Sequence, residues 1–254
     1  MSESKIAKIL VDKGLELFKV PRTFHDFTGK LEADSLLNDI EERPHAFVLA
    51  CVMDRQVKAE LAWLIPYRFM EKLGDFRFST LRGLTLEQVE KLMARPEPLH
   101  RFPAKMSKNF YQALRLLETR YDCDASLIWQ NKPSSATVVY RFLEFRGVGP
   151  KIATMATNIL ARDFKVPFSD YYSIDISPDV HVRRVFVRLG LTESKPTPEQ
   201  IIYRARALHP QFPGLLDLPA WEIGRNWCKA RQPECSSCHM SEVCPTFAQK
   251  GEGN

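Results

Sequence analysis

Four cysteines crowd one short stretch late in the chain. Cys228, Cys235, Cys238 and Cys244 fall within 17 residues, separated by six, two and five others. Such short gaps let four thiolates converge on one centre, either a tetrahedral zinc ion or a cubane [4Fe-4S] cluster. Only one C-x-x-C is present, which departs from paired zinc knuckles. A disulfide framework is the plainer alternative. Upstream, Phe145-Arg-Gly-Val-Gly-Pro-Lys151 joins two apolar periodic runs. Gly147 and Gly149, one residue apart, allow a tight turn that exposes backbone N–H groups, and Pro150 suits the first position of a helix. A helix start with free N–H groups can hold a phosphate without reading sequence, although a plain αα-hairpin would read the same. Lys151 stands just inside that start. A solvated lysine is its ordinary reading, but a positive helix end and partial burial both disfavour an ammonium and enlarge the neutral fraction that can attack an electrophile. Asp179, between Pro178 and another apolar run, reads as a helix N-cap.

The elements that must position these residues are helical. Apolar residues recur at three and four positions over Ala46–Ile65, Leu84–Met93, Asn109–Leu117, Thr137–Phe145, Ile152–Leu160 and Val180–Leu189, and alternating strand-like stretches are few. Prolines 66, 96, 98, 103, 133, 150, 167 and 178 fall between these runs or at their starts. Residues 164–178 are aromatic and not clearly periodic, so they read as an irregular connection. A chain of 254 residues with 44% hydrophobic and 26% charged residues has the composition of a folded globular protein, which excludes global disorder and fibrous classes. The longest apolar run, Ala46–Met53, is too short to cross a bilayer. The opening MSESKIAKILVDKG lacks the apolar region of a signal peptide, so an unexported protein with reduced thiols and no membrane partner is expected.

The net charge of +5 permits a polyanionic partner. Its distribution is uneven: residues 26–43 carry six acids against Lys30 and Arg43, whereas residues 100–120 and 204–231 are basic. Each basic cluster alone reads as a solvated helix face.

Three segments in order, FRGVGPKIA, PDVHVRRV and WCKARQPECSSCHMSEVC, resemble the helix-hairpin-helix, the catalytic-aspartate segment and the iron-sulfur loop of endonuclease III-like DNA glycosylases. The resemblance covers roughly residues 46–245. It implies an all-α, two-lobed fold: a central helical domain over 46–165 with the hairpin at 137–162, and a cluster domain made of 1–45 joined to 166–254. It makes the four cysteines ligands of a [4Fe-4S] cluster rather than of zinc. Lys151 takes the place of the lysine that attacks the sugar C1′, and Asp179 that of the essential aspartate, which can be a cap as well. Gln56 takes the place of the residue that fills the gap left by an extruded nucleotide, with a helix-surface glutamine as the alternative. Gly147, Val148 and Gly149 of the hairpin, with Lys229 and Arg231 of the cluster loop, are the implied phosphate contacts, and Arg183 and Arg184 are further candidates.

The implied activity is excision of a damaged or mismatched base from double-stranded DNA by a monomer, followed by β-elimination through a lysine Schiff base. The resemblance leaves open a glycosylase without lyase activity and a non-catalytic DNA-binding protein. Cytoplasmic, nucleoid-associated placement follows for a prokaryotic source, and nuclear placement otherwise. The chain departs from the family at Arg146, where proline is common, and at Ile152, where a small or polar residue is frequent. The 28 positions from Lys151 to Asp179 exceed those of compact members, and Phe164, Phe168, Tyr171 and Tyr172 in the excess can stack on a base or pack between lobes.

Overall fold

The computed structural model describes residues 3–251 and contains fourteen α-helices and four short 3-10 turns, with no strand among the described residues. The chain opens with α1 (Glu3–Lys19). A first group of helices then runs α2 (Leu31–Asn38), α3 (Pro44–Met53), α4 (Ala59–Trp63), α5 (Ile65–Leu73), α6 (Phe78–Arg82), α7 (Leu86–Ala94), α8 (Pro103–Arg120), α9 (Ser135–Leu143) and α10 (Pro150–Arg162). Beyond an irregular connection lie α11 (Val180–Arg188), α12 (Pro198–Leu208), α13 (Asp217–Asn226) and α14 (Pro245–Gly251).

Two apolar cores organise these helices. The first gathers side chains from Leu36 through Ile174, with Phe212 and Leu215. The second joins Ile6 and Leu10 of α1 to Ile176, Val182, Val185, Phe186, Ile223, Met240 and Val243. Of the N-terminal segment only α1 packs on the second core. Leu36, Leu37 and Ile40 belong to the first, which therefore begins at α2 rather than at residue 46. The outermost residues of the expected cluster domain, 1–2 and 252–254, lie outside the described residues.

Burial explains which helices are central. All ten residues of α3 are buried, as a helix apolar on every side requires. In α10 the small and polar residues Ala153, Thr154, Thr157 and Asn158 are buried beside Ile152, Ile159 and Leu160, and Asn158 Nδ2 donates to Gly214 O at 3.0 Å. The periodic run Ala46–Ile65 is not one helix. It breaks at Met53, where Asp54 turns its N–H onto Cys51 O, and Gln56 takes a left-handed φ of +55°.

The connection over 164–178 is mostly interior. Phe164 and Phe168 are buried in the first core, and Tyr171 stacks on Phe212 at 4.9 Å with the edge of Phe18 against it. These rings seal α1 to the first core, where burial of each aromatic contributes on the order of 2 kcal/mol. Only Tyr172 stands out, 62% exposed. Asp170 and Ser173 on either side bond Ser135 Oγ, which puts this loop at the start of α9, the end farthest from the hairpin.

Candidate active site

The hairpin turn runs from Glu144 to Gly149. Helix α9 lies two residues earlier than its apolar periodicity implies because Ser134 Oγ accepts the Thr137 N–H and caps it there. Gly147 has φ +93°, and a Cβ on it would lie 2.4 Å from Asn109 Nδ2 and 3.2 Å from Arg55 Nη1. Its carbonyl accepts Arg55 Nη1–H at 2.6 Å. Gly149 is extended, with nothing within 4 Å of where its Cβ would stand. No side chain caps α10, so its first amides are left for solvent or a ligand. Val148 packs into the first core, which leaves only its backbone on the outer side. Arg146 is exposed and donates to Gln112 Oε1 at 3.1 Å.

Arg55 ties the loop after α3 to this turn. His100 Nε2 lies 3.1 Å from Arg55 O and holds the loop from behind. Gln56 is exposed at its tip, on neither face of a helix. Asp54 begins the loop. Burial raises its pKa, and the Lys151 charge and the Trp63 indole pull it back.

Lys151 is exposed, so the burial anticipated for it is absent, and the groups that face it are acidic. Asp179 caps α11: its Oδ1 accepts the N–H groups of His181 and Val182, each at 2.8 Å. The His181 ring does not orient that carboxylate. Its Nδ1 is 3.0 Å from Arg184 Nη2, and its ring meets Trp221 edge-on at 6.4 Å. Asp217, the first residue of α13, feels both the Lys151 and the Asp179 charges, although lysine and aspartate sit on different helix starts. Burial pushes Asp217 from 3.8 up to about 6; the Ser177 N–H, Arg162 and Lys151 oppose that rise and Asp179 adds to it. Glu60 of α4 pairs with Arg225 of α13 at 3.1 Å.

The cysteine loop wraps the end of α11. Cys228, Cys235, Cys238 and Cys244 line one pocket together with Arg188, Leu189, Ile223, Trp227 and Met240. All four are free thiols, and among the described residues no three Cys, His, Asp or Glu side chains are close enough to hold a single ion. Arg188 Nη1 donates to Cys228 Sγ at 3.3 Å and to Lys229 O at 2.7 Å, and its Nη2 donates to Ala230 O at 3.0 Å. Arg184 is committed in the same way, to Cys228 O at 2.5 Å and Gly224 O at 2.7 Å. It therefore braces the loop instead of facing a ligand. Arg183 is half-buried. Lys229 pairs with Glu234, while Arg231 is exposed.

Sequence reasoning missed Asp54, Asp217 and Arg188. A carboxylate between a valine-methionine pair and an arginine, or in DLPAW, carries no local signal; what sets these residues apart is neighbours far away in the chain.

An all-helical chain with two cores, a glycine hairpin between α9 and α10, and an aspartate-capped helix behind it defines a helix-hairpin-helix protein of two lobes. No family model matches the chain. Its sequence is similar to endonuclease III of Synechocystis sp., 34% identical over 79 residues, which are 28% of this chain and 32% of that protein. The matched stretch thus spans about a third of the relative's length. The fold is that of endonuclease III trapped as a covalent intermediate with DNA (TM-score 0.62, 18% identity, 99% of this chain and 100% of that one). The non-covalent endonuclease III–DNA complex gives a TM-score of 0.63 at 18% identity, over 99% of this chain and 100% of that one. A thermostable thymine-DNA glycosylase gives 0.63 at 16% identity, over 96% and 98%. The chain has the fold of endonuclease III, and part of its sequence is similar to an endonuclease III.

Proposed function

We propose that this protein is a base-excision DNA glycosylase that removes a damaged or mismatched base from duplex DNA and then cleaves the strand as an AP lyase. The observation that carries this reading is that Asp217, tied through Ser177 to the turn of the capping Asp179, also feels the charge of the exposed Lys151 at an uncapped helix start. The relatives agree in kind, one being an endonuclease III and the solved structures including an endonuclease III covalently trapped on DNA and a thymine-DNA glycosylase.

The chemistry divides between the two residues. As the glycosidic bond breaks, its electron pair leaves with the base and positive charge develops on the sugar, where the Asp179 carboxylate stabilises it. Lys151 Nζ gives up a proton and bonds to C1′, the C1′–O4′ bond then opens with its electron pair on O4′, which takes a proton, and the resulting Schiff base undergoes β-elimination. Duplex DNA lies across these residues with the target nucleotide turned out, because the bond is inaccessible in a stacked helix. Gln56, at the tip of a loop clamped to the hairpin, enters the gap. The amides of Gly147–Gly149 and α10 hold one phosphate, and Lys229 and Arg231 reach others.

Cys228, Cys235, Cys238 and Cys244 would hold a [4Fe-4S] cluster. Four thiols line one pocket and can supply the four thiolate ligands that such a cluster takes. Bound there, the cluster supplies a rigid anchor for the loop carrying Lys229 and Arg231. Among the described residues no helix is long and apolar enough to cross a membrane.

Borohydride trapping on a duplex containing an abasic site tests the reading. Wild type should form a covalent adduct and cleave the strand, Lys151→Gln should lose the adduct, and on duplex that still carries a damaged or mismatched base Asp179→Asn should lose base release. Absence of both adduct and cleavage in wild type refutes the lyase.

A further inference from the structure

Two carboxylates besides Asp179 feel the Lys151 charge and are not used in these steps, Asp54 at the end of α3 and Asp217, and of the two only Asp217 is tied to the turn of Asp179. Asp217 opens α13, and its Oδ1 accepts the Ser177 N–H at 2.7 Å. Ser177 O in turn accepts the Asp179 N–H at 2.7 Å, so Asp217 is fastened to the turn that carries the capping aspartate. Its Oδ2 accepts no hydrogen bond from any described residue and is not a buried orphan, and the residue is only half-buried. The charges that face Asp217 are Lys151 and Arg162 from α10 and Asp179 from the turn before α11. Arg162 is already engaged by Asp163, through two bonds of 2.9 and 2.7 Å.

A carboxylate with one oxygen fixed and the other without a hydrogen bond, tied to the turn of the aspartate and within the field of the lysine, has the arrangement of a base. Asp179 is less suited to that task, since its Oδ1 is committed to two backbone amides. We propose that Asp217 is the base of the strand-cleavage step and takes the C2′ proton of the sugar held on Lys151. The step balances without any further reagent. Asp217 Oδ2 gains the proton, and the C2′–H electron pair moves toward the iminium to form a C1′–C2′ double bond. Those electrons then form the C2′–C3′ double bond and restore the iminium as the 3′ phosphate departs with the electron pair of its C–O bond. Asp217 finally loses its proton to water.

Titration supports the assignment. A carboxyl pushed up to about 6 is ionised at neutral pH, yet basic enough to accept a proton from carbon.

The proposal rests on the lyase reading, and one experiment separates the two. Wild type, Asp217→Asn and Asp217→Glu are mixed with abasic-site duplex over a pH range centred on 6, and borohydride-trapped adduct and strand cleavage are measured in the same samples. Asparagine keeps an oxygen for the Ser177 N–H, so Asp217→Asn should melt like wild type and trap like wild type. Its cleavage should fall about a hundredfold and lose the rise that wild type shows on passing from below 6 to above it. Asp217→Glu should retain that rise. Wild-type cleavage by Asp217→Asn overturns the proposal. So does a variant whose trapping and cleavage fall together at every pH, because that pattern marks a structural role. Failure of wild type to trap refutes the lyase reading itself.

Discussion

The two hairpin glycines should fail in opposite ways when each is changed to alanine. At Gly147 the φ of +93° costs a residue with a side chain about 1–2 kcal/mol. The new Cβ would also stand 2.4 Å from Asn109 Nδ2 and 3.2 Å from Arg55 Nη1, so both side chains must withdraw. Withdrawal breaks the bond from Arg55 to Gly147 O, and a hydrogen bond to a charged group is worth about 1.5–3 kcal/mol. The sum is about 3 kcal/mol, which for a chain of this size lowers the melting temperature by roughly 10 °C. Gly149 is extended and its surroundings are open, so Gly149→Ala should melt at or slightly above the wild-type temperature. The methyl group would instead obstruct a phosphate approaching the α10 amides, and affinity for abasic duplex should drop about tenfold, as loss of one charge-assisted contact implies. Thermal melting followed by far-ultraviolet circular dichroism reads the first effect, and fluorescence anisotropy with labelled duplex reads the second. If Gly147→Ala melts like wild type, the clamp between the two loops does not have the energy assigned to it. If Gly149→Ala binds like wild type, the hairpin amides do not face DNA.

Arg188→Ala removes three bonds from the cysteine loop and should speed the loss of iron to a chelator roughly tenfold, as measured by iron and sulfide content over time. Retention equal to wild type would show that the loop holds itself. At Asp179 the cap and the chemistry separate: Asp179→Ala should cost about 1 kcal/mol of stability and all base release. Asp179→Ser should melt like wild type and still release no base, and an Asp179→Ser protein that remained active would remove the carboxylate from the reaction.

What was legible in the sequence was what the backbone itself dictates. Gly147, Gly149 and Pro150 announce a turn and a helix start because only certain residues tolerate those conformations, and a cap such as Asp179 is announced by its place before an apolar run. The break after α3 was not legible. Apolar periodicity runs on from Ala46 to Ile65, and the interruption at Asp54 is stabilised by Arg55 reaching the carbonyl of Gly147, far along the chain. The same reason hid the roles of the arginines. Arg183 and Arg184 read as candidates for phosphate contact, yet Arg184 spends its donors on carbonyls of the cysteine loop and of α13, and Arg188, which carried no signal, spends its own on the same loop. Asp217 is the sharpest case. Its environment comes from α10, from the turn before α11 and from its own helix start, three pieces that meet only when the two cores dock. Motifs therefore point to Lys151 and Asp179, while the charges that act on Asp217 come together only in the folded chain.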